Sequence, residues 1–325
     1  MYGDTVQIHP MRHFSAMHFV FLCEALEHIQ LDAQPGTAIR GALYHAMINL
    51  FSPNEPIPGV PLDPVRGLLA DEDENNPRGR DVPRAFSIEP PPPYTHIDSK
   101  RRFQFGVTLF GSAEALMPYL FRAVPEMGKL GIGKGRGTFR LIQIYEVSPL
   151  NDTRRVIMHH QRVVDRPRLT VTHQRVLEEL GMRRTDEVTL RFLTPMRLIE
   201  AGGLVHTPKL GALLRRLIER AQVLVERYSA SDESVTARAI WKDEWQRIGD
   251  LGDQIDTTGV LLDASRWVNI QSYSRARGRS TPIGGFVGQA RWRIGSPDVL
   301  TWLLWGQSLH VGKNAAKGDG YFRIE

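Results

Sequence analysis

Apolar residues crowd positions 14–22, FSAMHFVFL, where they predict a strand covered on both faces. After a turn at DAQPGT the spacing becomes helical. At about 100° per residue, Ile39, Leu43, Ala46, Met47 and Leu50 share one face, with Thr37 available as N-cap. Arg40 and Tyr44 flank that stripe one turn apart, and His45 lies opposite it. Residues 52–102 are too rich in proline and glycine for long helices or central strands, and predict an irregular excursion. Its acidic run, Asp71 to Glu74, reads as a solvated loop tip. A strand over 103–111 and a helix carrying Leu116, Leu120 and Val124, capped by Ser112, follow. A glycine-rich loop then feeds a strand over 138–147.

The second half repeats the order. Val188, Leu190 and Phe192 alternate with polar residues as in a strand. A helix over 208–228 carries Leu210, Leu213, Leu214, Leu217, Ala221 and Leu224 on its stripe, leaving Arg215, Arg216, Arg220 and Arg227 as a solvated face. After an irregular stretch, two strands over 260–273 and 285–294 are joined by the basic connector SRARGRSTPIG. A helix capped by Ser296 leads to a second glycine-rich loop and a last strand. Each half thus reads β-α-β-(β)-α-β, predicting an α+β protein of two tandem ferredoxin-like, RRM-like domains. The expected domains are 1–150 and 186–325, with a linker over 151–185 holding some strand and a short helix.

Composition narrows the function. At 325 residues, 42% hydrophobic and 24% charged, the chain is long enough for two real cores. No apolar run is long enough to span a membrane. The start, MYGDTVQIHP, lacks the marks of a secretory signal, so a cytoplasmic location is expected. The lone Cys23 excludes an internal disulfide and a cysteine metal cluster. Charge is concentrated: positions 265–325 hold nine Lys and Arg against three acidic residues, a net +6, while the whole chain is +5. Such clustering is the footprint of a polyanion partner. Arginine outnumbers lysine 34 to 7, which suits phosphate and base contacts but equally follows from a GC-rich genome.

The two glycine loops sharpen this. The first holds Gly131, Gly133, Lys134, Gly135, Arg136 and Gly137; the second holds Gly312, Lys313, Asn314, Lys317, Gly318 and Gly320. Glycines let backbone approach a ligand closely, and successive N–H groups in such turns form anion-binding nests. The second loop lacks the G-x-x-x-x-G-K-[ST] spacing of a P-loop and runs into a strand rather than a helix, which argues against a nucleotide hydrolase.

GTAIRGALYHAM on the first helix, GIGKGRGTF closing the first half, GGFVG opening a late strand and LHVGKNAAKGDGYFRI at the end occur in an order that resembles the CRISPR-associated repeat-processing endoribonucleases of the RAMP superfamily. The resemblance covers nearly the whole chain. It implies two tandem ferredoxin-like domains, binding of CRISPR repeat RNA, and one metal-independent cut per repeat. In that cut a 2′-hydroxyl attacks the adjacent phosphate, leaving a 2′,3′-cyclic phosphate and a 5′-hydroxyl. No cofactor or metal is implied; the partners are the repeat RNA and other CRISPR effector subunits, and a homodimer is compatible with it. A non-catalytic RAMP subunit that only binds guide RNA is the alternative.

Such a reaction needs a base, an acid and donors for the developing charge. His45 is the first candidate for proton transfer, since family members often carry a histidine on this helix and imidazole titrates near neutrality. Tyr44 and Arg40 either orient the 2′-hydroxyl and hold the phosphate or serve packing. A lysine that follows the helix histidine in some members is missing, the next being Lys100, so Lys134, Lys313 or an arginine must be the cation. The expected RNA contacts are Arg266, Arg275, Arg277, Arg279, Lys313, Asn314, Lys317, Lys134 and Arg136. His310 either joins them or is a satisfied histidine at a helix end. Asp319 departs from the apolar residue many members have there, and either caps the turn or pairs with an arginine.

Overall fold

The computed structural model describes residues 9–51, 83–229, 234–274 and 279–325. The first half runs β1 (Ser15–Ala25), β2 (Ile29–Gln30), α1 (Pro35–Leu50), β3 (Phe86–Glu89), β4 (His96–Ile97), β5 (Arg102–Phe110), α2 (Met117–Leu130) and β6 (Phe139–Val147). β1 is central because its apolar residues meet a partner on each edge: Phe19 lies opposite Val107 of β5 and Glu146 of β6. The order β3-β5-β1-β6 is the interleaved sheet of a ferredoxin-like fold. β7 (Arg154–His159) and β8 (Arg162–Val163) continue this sheet beyond β6, and β9 (Val171–Thr172) pairs with β1. Much of the expected linker is therefore hydrogen-bonded to the first half, before α3 (His173–Met182).

The second half runs β10 (Glu187–Met196), a small β11 (Leu198–Glu200) and β12 (Gly203–Val205) hairpin, α4 (Leu210–Tyr228), α5 (Ser234–Thr258), β13 (Val260–Val268), β14 (Gln271–Ser274), β15 (Arg279–Pro282), β16 (Gly285–Arg293), α6 (Pro297–Leu309) and β17 (Phe322–Ile324). Its order β13-β16-β10-β17 repeats the first sheet, with second strand, third, first and fourth side by side. The two halves share one topology. The expected strand over 260–273 is broken into β13 and β14, while the one over 285–294 forms as β16; β15 lies in the expected connector and pairs with β14 as a separate two-stranded ribbon.

Three local expectations need correcting. β3 forms within the proline-rich excursion, where no strand was expected, because Phe86 and Ile88 are buried against β5. The stretch before β13 is the 25-residue helix α5, docked on α4. Helix α1 begins at Pro35 with Gln34 as N-cap and no side-chain cap bond, so Thr37 lies inside the first turn.

Of the arginines expected on a solvated face of α4, Arg227 is exposed and Arg216 half-buried, but Arg215 and Arg220 are not solvated. Arg215 is ion-paired to Glu200, Asp250 and Asp253. Arg220 is enclosed and donates from Nε to the Leu309 carbonyl at 2.6 Å, satisfying the end of α6; burial brings its guanidinium down to about 10. The halves share a continuous apolar core. A buried polar relay also crosses between them: His18 of β1 bonds Ser308 of α6 at 2.9 Å and Thr108 of β5 at 2.7 Å, with the Glu89 carboxylate 3.5 Å away. This has the residue types of a nucleophile triad, yet Ser308 is 0% exposed, so no substrate reaches it and the relay is a structural pin.

Candidate nucleic-acid interface

Both glycine loops clamp the short stretch that leads from β1 into α1. The first closes on its beginning: the Lys134 amide donates to the Gln30 carbonyl at 2.9 Å, and a Cβ at Gly137 would overlap the His28 carbonyl. The second closes on its end, where a Cβ at Gly36 would overlap the Lys317 carbonyl. It also rests on β3, since Gly318, at φ 99°, lies against Ile88 and Pro90. The segment from His28 to Gly36 is thus held by one loop from each half.

This changes what the glycines do. In the second loop the amides of Lys313, Lys317, Gly318 and Gly320 donate to the carbonyls of Arg197, Asn314, Ala315 and Pro195. In the first, Ile132, Lys134 and Arg136 donate to Gly137, Gln30 and Gly133. These amides are committed within the protein, so an open anion nest is not their role. The glycines permit close backbone packing and turns at positive φ, and charge at the loops comes from side chains. Lys134, Arg136 and Lys313 are exposed, and Lys317 and Asn314 are half-buried. Gly131, Gly133, Gly135, Gly312 and Gly320 all have positive φ.

The other expected contacts fall in separate places. Arg266 is exposed on the edge strand β13. Arg275 and Arg277 lie outside the described residues, and Arg279 begins β15. Arg197, which was not singled out in the sequence, links this hairpin to the second loop. Its carbonyl accepts from Lys313, and its guanidinium donates to Gly284 at the hairpin base, 2.9 Å away. Lys313 and the basic ribbon therefore form one neighbourhood.

His310 is a correction. Its side chain is fully buried at the end of α6, stacked on Tyr321 at 4.8 Å, with neither ring nitrogen hydrogen-bonded. It does not present itself to RNA, and it is not a satisfied histidine either. Burial lowers its imidazole to about 3, so it stays neutral. Its φ of 58° and ψ of 160° lie in a region that favours glycine, a strained turn into the loop.

On α1, His45 is exposed, and its ring meets that of Tyr44 edge-on at 5.7 Å. Tyr44 and Arg40 are half-buried at the rim of the buried stripe of Ile39, Leu43, Ala46 and Met47. His45 follows Gly36 by nine residues, ~14 Å along the helix and half a turn around it. The structure does not bring it against the second loop. At its own end of α1 stands a cation that the sequence pattern did not reveal: the Arg122 guanidinium of α2 lies over the Phe51 ring at 5.4 Å. Two cavities open near the clamped stretch. A cleft of about 670 Å³ is lined by Arg101, Arg102, Arg154 and Arg323, and a pocket of about 240 Å³ lies between Ala33–Gly36 and the second loop. Among the described residues no cluster of three or more His, Cys, Asp or Glu is arranged to hold a metal, and no helix is long and apolar enough to cross a membrane.

Residues 190–322 match the family model described as CRISPR-associated endoribonuclease Cas6, and a second model, described as an N-terminal domain, matches residues 14–169. No curated protein matches the sequence. Among solved structures, a Cas6 product complex aligns over 96% of this chain and 99% of that protein, at TM-score 0.54 and 14% identity. Thermus thermophilus Cas6 aligns over the same shares at 0.53 and 12%. A partial Cas6-RT-Cas1–Cas2 complex aligns over 96% of this chain and 46% of that one, at 0.54 and 12%. Residues 190–322 are thus similar to the Cas6 endoribonuclease family, and the chain as a whole shares the tandem ferredoxin-like fold of those Cas6 structures.

Proposed function

We propose that the protein binds the repeat RNA of a CRISPR transcript and cuts it once per repeat without a metal ion. The 2′-hydroxyl oxygen attacks the adjacent phosphorus as its proton passes to a base. The P–O5′ bond breaks as an acid protonates the leaving oxygen, giving a 2′,3′-cyclic phosphate and a 5′-hydroxyl. His45 serves as one of these proton-transfer groups, with Tyr44 orienting the hydroxyl beside it. Arg122, at the same end of α1, supplies the cation expected of a lysine in some members of that family. Lys134, Arg136, Lys313, Lys317, Arg266 and the β14–β15 ribbon hold the phosphodiester backbone, and the partner is a folded repeat read through its shape.

The observation that carries this reading is the placement of His45. It is an exposed imidazole that the core does not use, on a helix whose entry is clamped by loops from both halves. The rival, a non-catalytic RNA-binding subunit, draws on the ~14 Å of helix between His45 and the second loop. Incubating the purified protein with labelled repeat RNA in EDTA separates them. Cutting to a product with a cyclic phosphate end is expected; tight binding with no cutting establishes the rival.

A further inference from the structure

The smaller cavity has walls and a polar group that the proposed cleavage does not use. Pro90, Pro92, Pro35 and Leu193 give it flat apolar sides, and Lys317 and Asp319 face it from the second loop. At about 240 Å³ it is the size of one nucleobase with room to spare. The Asp319 carboxyl is the unusual element. One oxygen, Oδ2, is buried without a hydrogen-bond partner, while the side chain is engaged by Asn314. A buried carboxylate oxygen without a donor is costly, and it accepts only. Burial lifts this carboxyl to about 7, against the pull of Asn314 and Lys317, which disfavours its ionised form; a ligand offering N–H groups favours that form. Glu89 lines the same pocket but is already held by His18 and Thr108.

We propose that this pocket receives one unstacked guanine of the bound RNA, with the Asp319 carboxylate accepting from the guanine N1–H and N2 amino groups. Among the four bases only guanine sets two donors side by side on its Watson–Crick edge. RNA-binding proteins obtain specificity from such splayed bases, buried against flat side chains. The pocket adjoins Gly36 and the second loop, so a base seated there fixes the RNA's register along α1. The inference rests on the RNA-binding reading above and adds a specificity residue to it.

The test titrates the full-length protein with GMP, IMP, AMP, CMP and UMP by NMR, with repeat cleavage measured in parallel. GMP is expected to bind roughly 5- to 150-fold more tightly than AMP, CMP or UMP, the range for one bidentate base contact. IMP, which keeps N1–H and lacks the amino group, should fall between. Asp319→Asn, nearly isosteric, should abolish the preference. Equal binding of all five nucleotides by the wild-type protein overturns the proposal without needing a variant, and so does a preference that survives in Asp319→Asn. Repeat cleavage with no guanine preference sinks only this inference. Failure to bind repeat RNA at all removes both it and the reading beneath it.

Discussion

His45→Ala is expected to slow repeat cleavage by ~10²–10⁴-fold, the usual contribution of a positioned acid or base, while leaving repeat affinity within a factor of about two. The imidazole lies outside the core, so its loss opens no cavity. Alanine is also the better helix former, so α1 should persist and the melting temperature should hold. Losing a proton-transfer group touches the transition state rather than the bound ground state, so the change belongs in the single-turnover rate. A gel-based cleavage time course at saturating enzyme, beside a filter-binding titration, separates the two. An unchanged rate removes His45 from the mechanism and moves attention to the seam between the halves.

Gly36→Ala should have the other large effect, through the fold. The atom that a Cβ would overlap is the Lys317 carbonyl oxygen, with backbone behind it, so no side chain can swing aside. Either α1 or the second glycine loop must shift. Overpacking of this kind costs typically ~1–3 kcal/mol, and the displaced loop carries Lys317 and Asp319 with it. A fall in melting temperature together with weaker RNA binding and cleavage is therefore expected. Gly41 supplies the control, since it lies on the same helix and a Cβ added there would meet nothing within 4 Å. Gly41→Ala should stabilise by ~0.5–1 kcal/mol. Equal thermal stability in Gly36→Ala and wild type would contradict the clamp.

Much of this fold is visible in the pattern of apolar residues, and the failures have identifiable causes. The stripe of α1 is legible because Ile39, Leu43, Ala46 and Met47 are all buried at helical spacing. Strand β3 is hidden because its four residues sit between Pro83 and the run Pro90–Pro93, and only pairing with β5 makes it a strand. Helix α5 is hidden by its composition. Its buried Trp241, Ile248 and Ile255 recur every seven residues, too sparsely to stand out. Its interior Gly252 reads as a breaker, yet it lies against Gly211 and lets α5 approach α4 closely.

The site divides in the same way. Local spacing marked His45 as outside the core and the loops as glycine turns, but the loops were expected to be anion nests and are instead close-packing contacts. Which carbonyls would consume the loop amides does not follow from local spacing, because Arg197, Pro195 and Gln30 are distant in sequence from the loops they satisfy. The same holds for His310. Its place at the end of α6 left an RNA contact or a satisfied helix-end histidine open, and the ring of Tyr321 stacked on it in a fully buried setting is visible only in the fold.

The most direct test of the central claim uses synthetic repeat RNAs in EDTA, each carrying a single 2′-deoxyribose at a successive position. Wild-type protein should cut every RNA but one, and the resistant RNA should still bind. The position it marks should be the nucleotide that otherwise ends in a cyclic phosphate. Cleavage that survives every single deoxy substitution, or that requires an added divalent cation, would contradict a 2′-hydroxyl attack driven by the protein's own side chains.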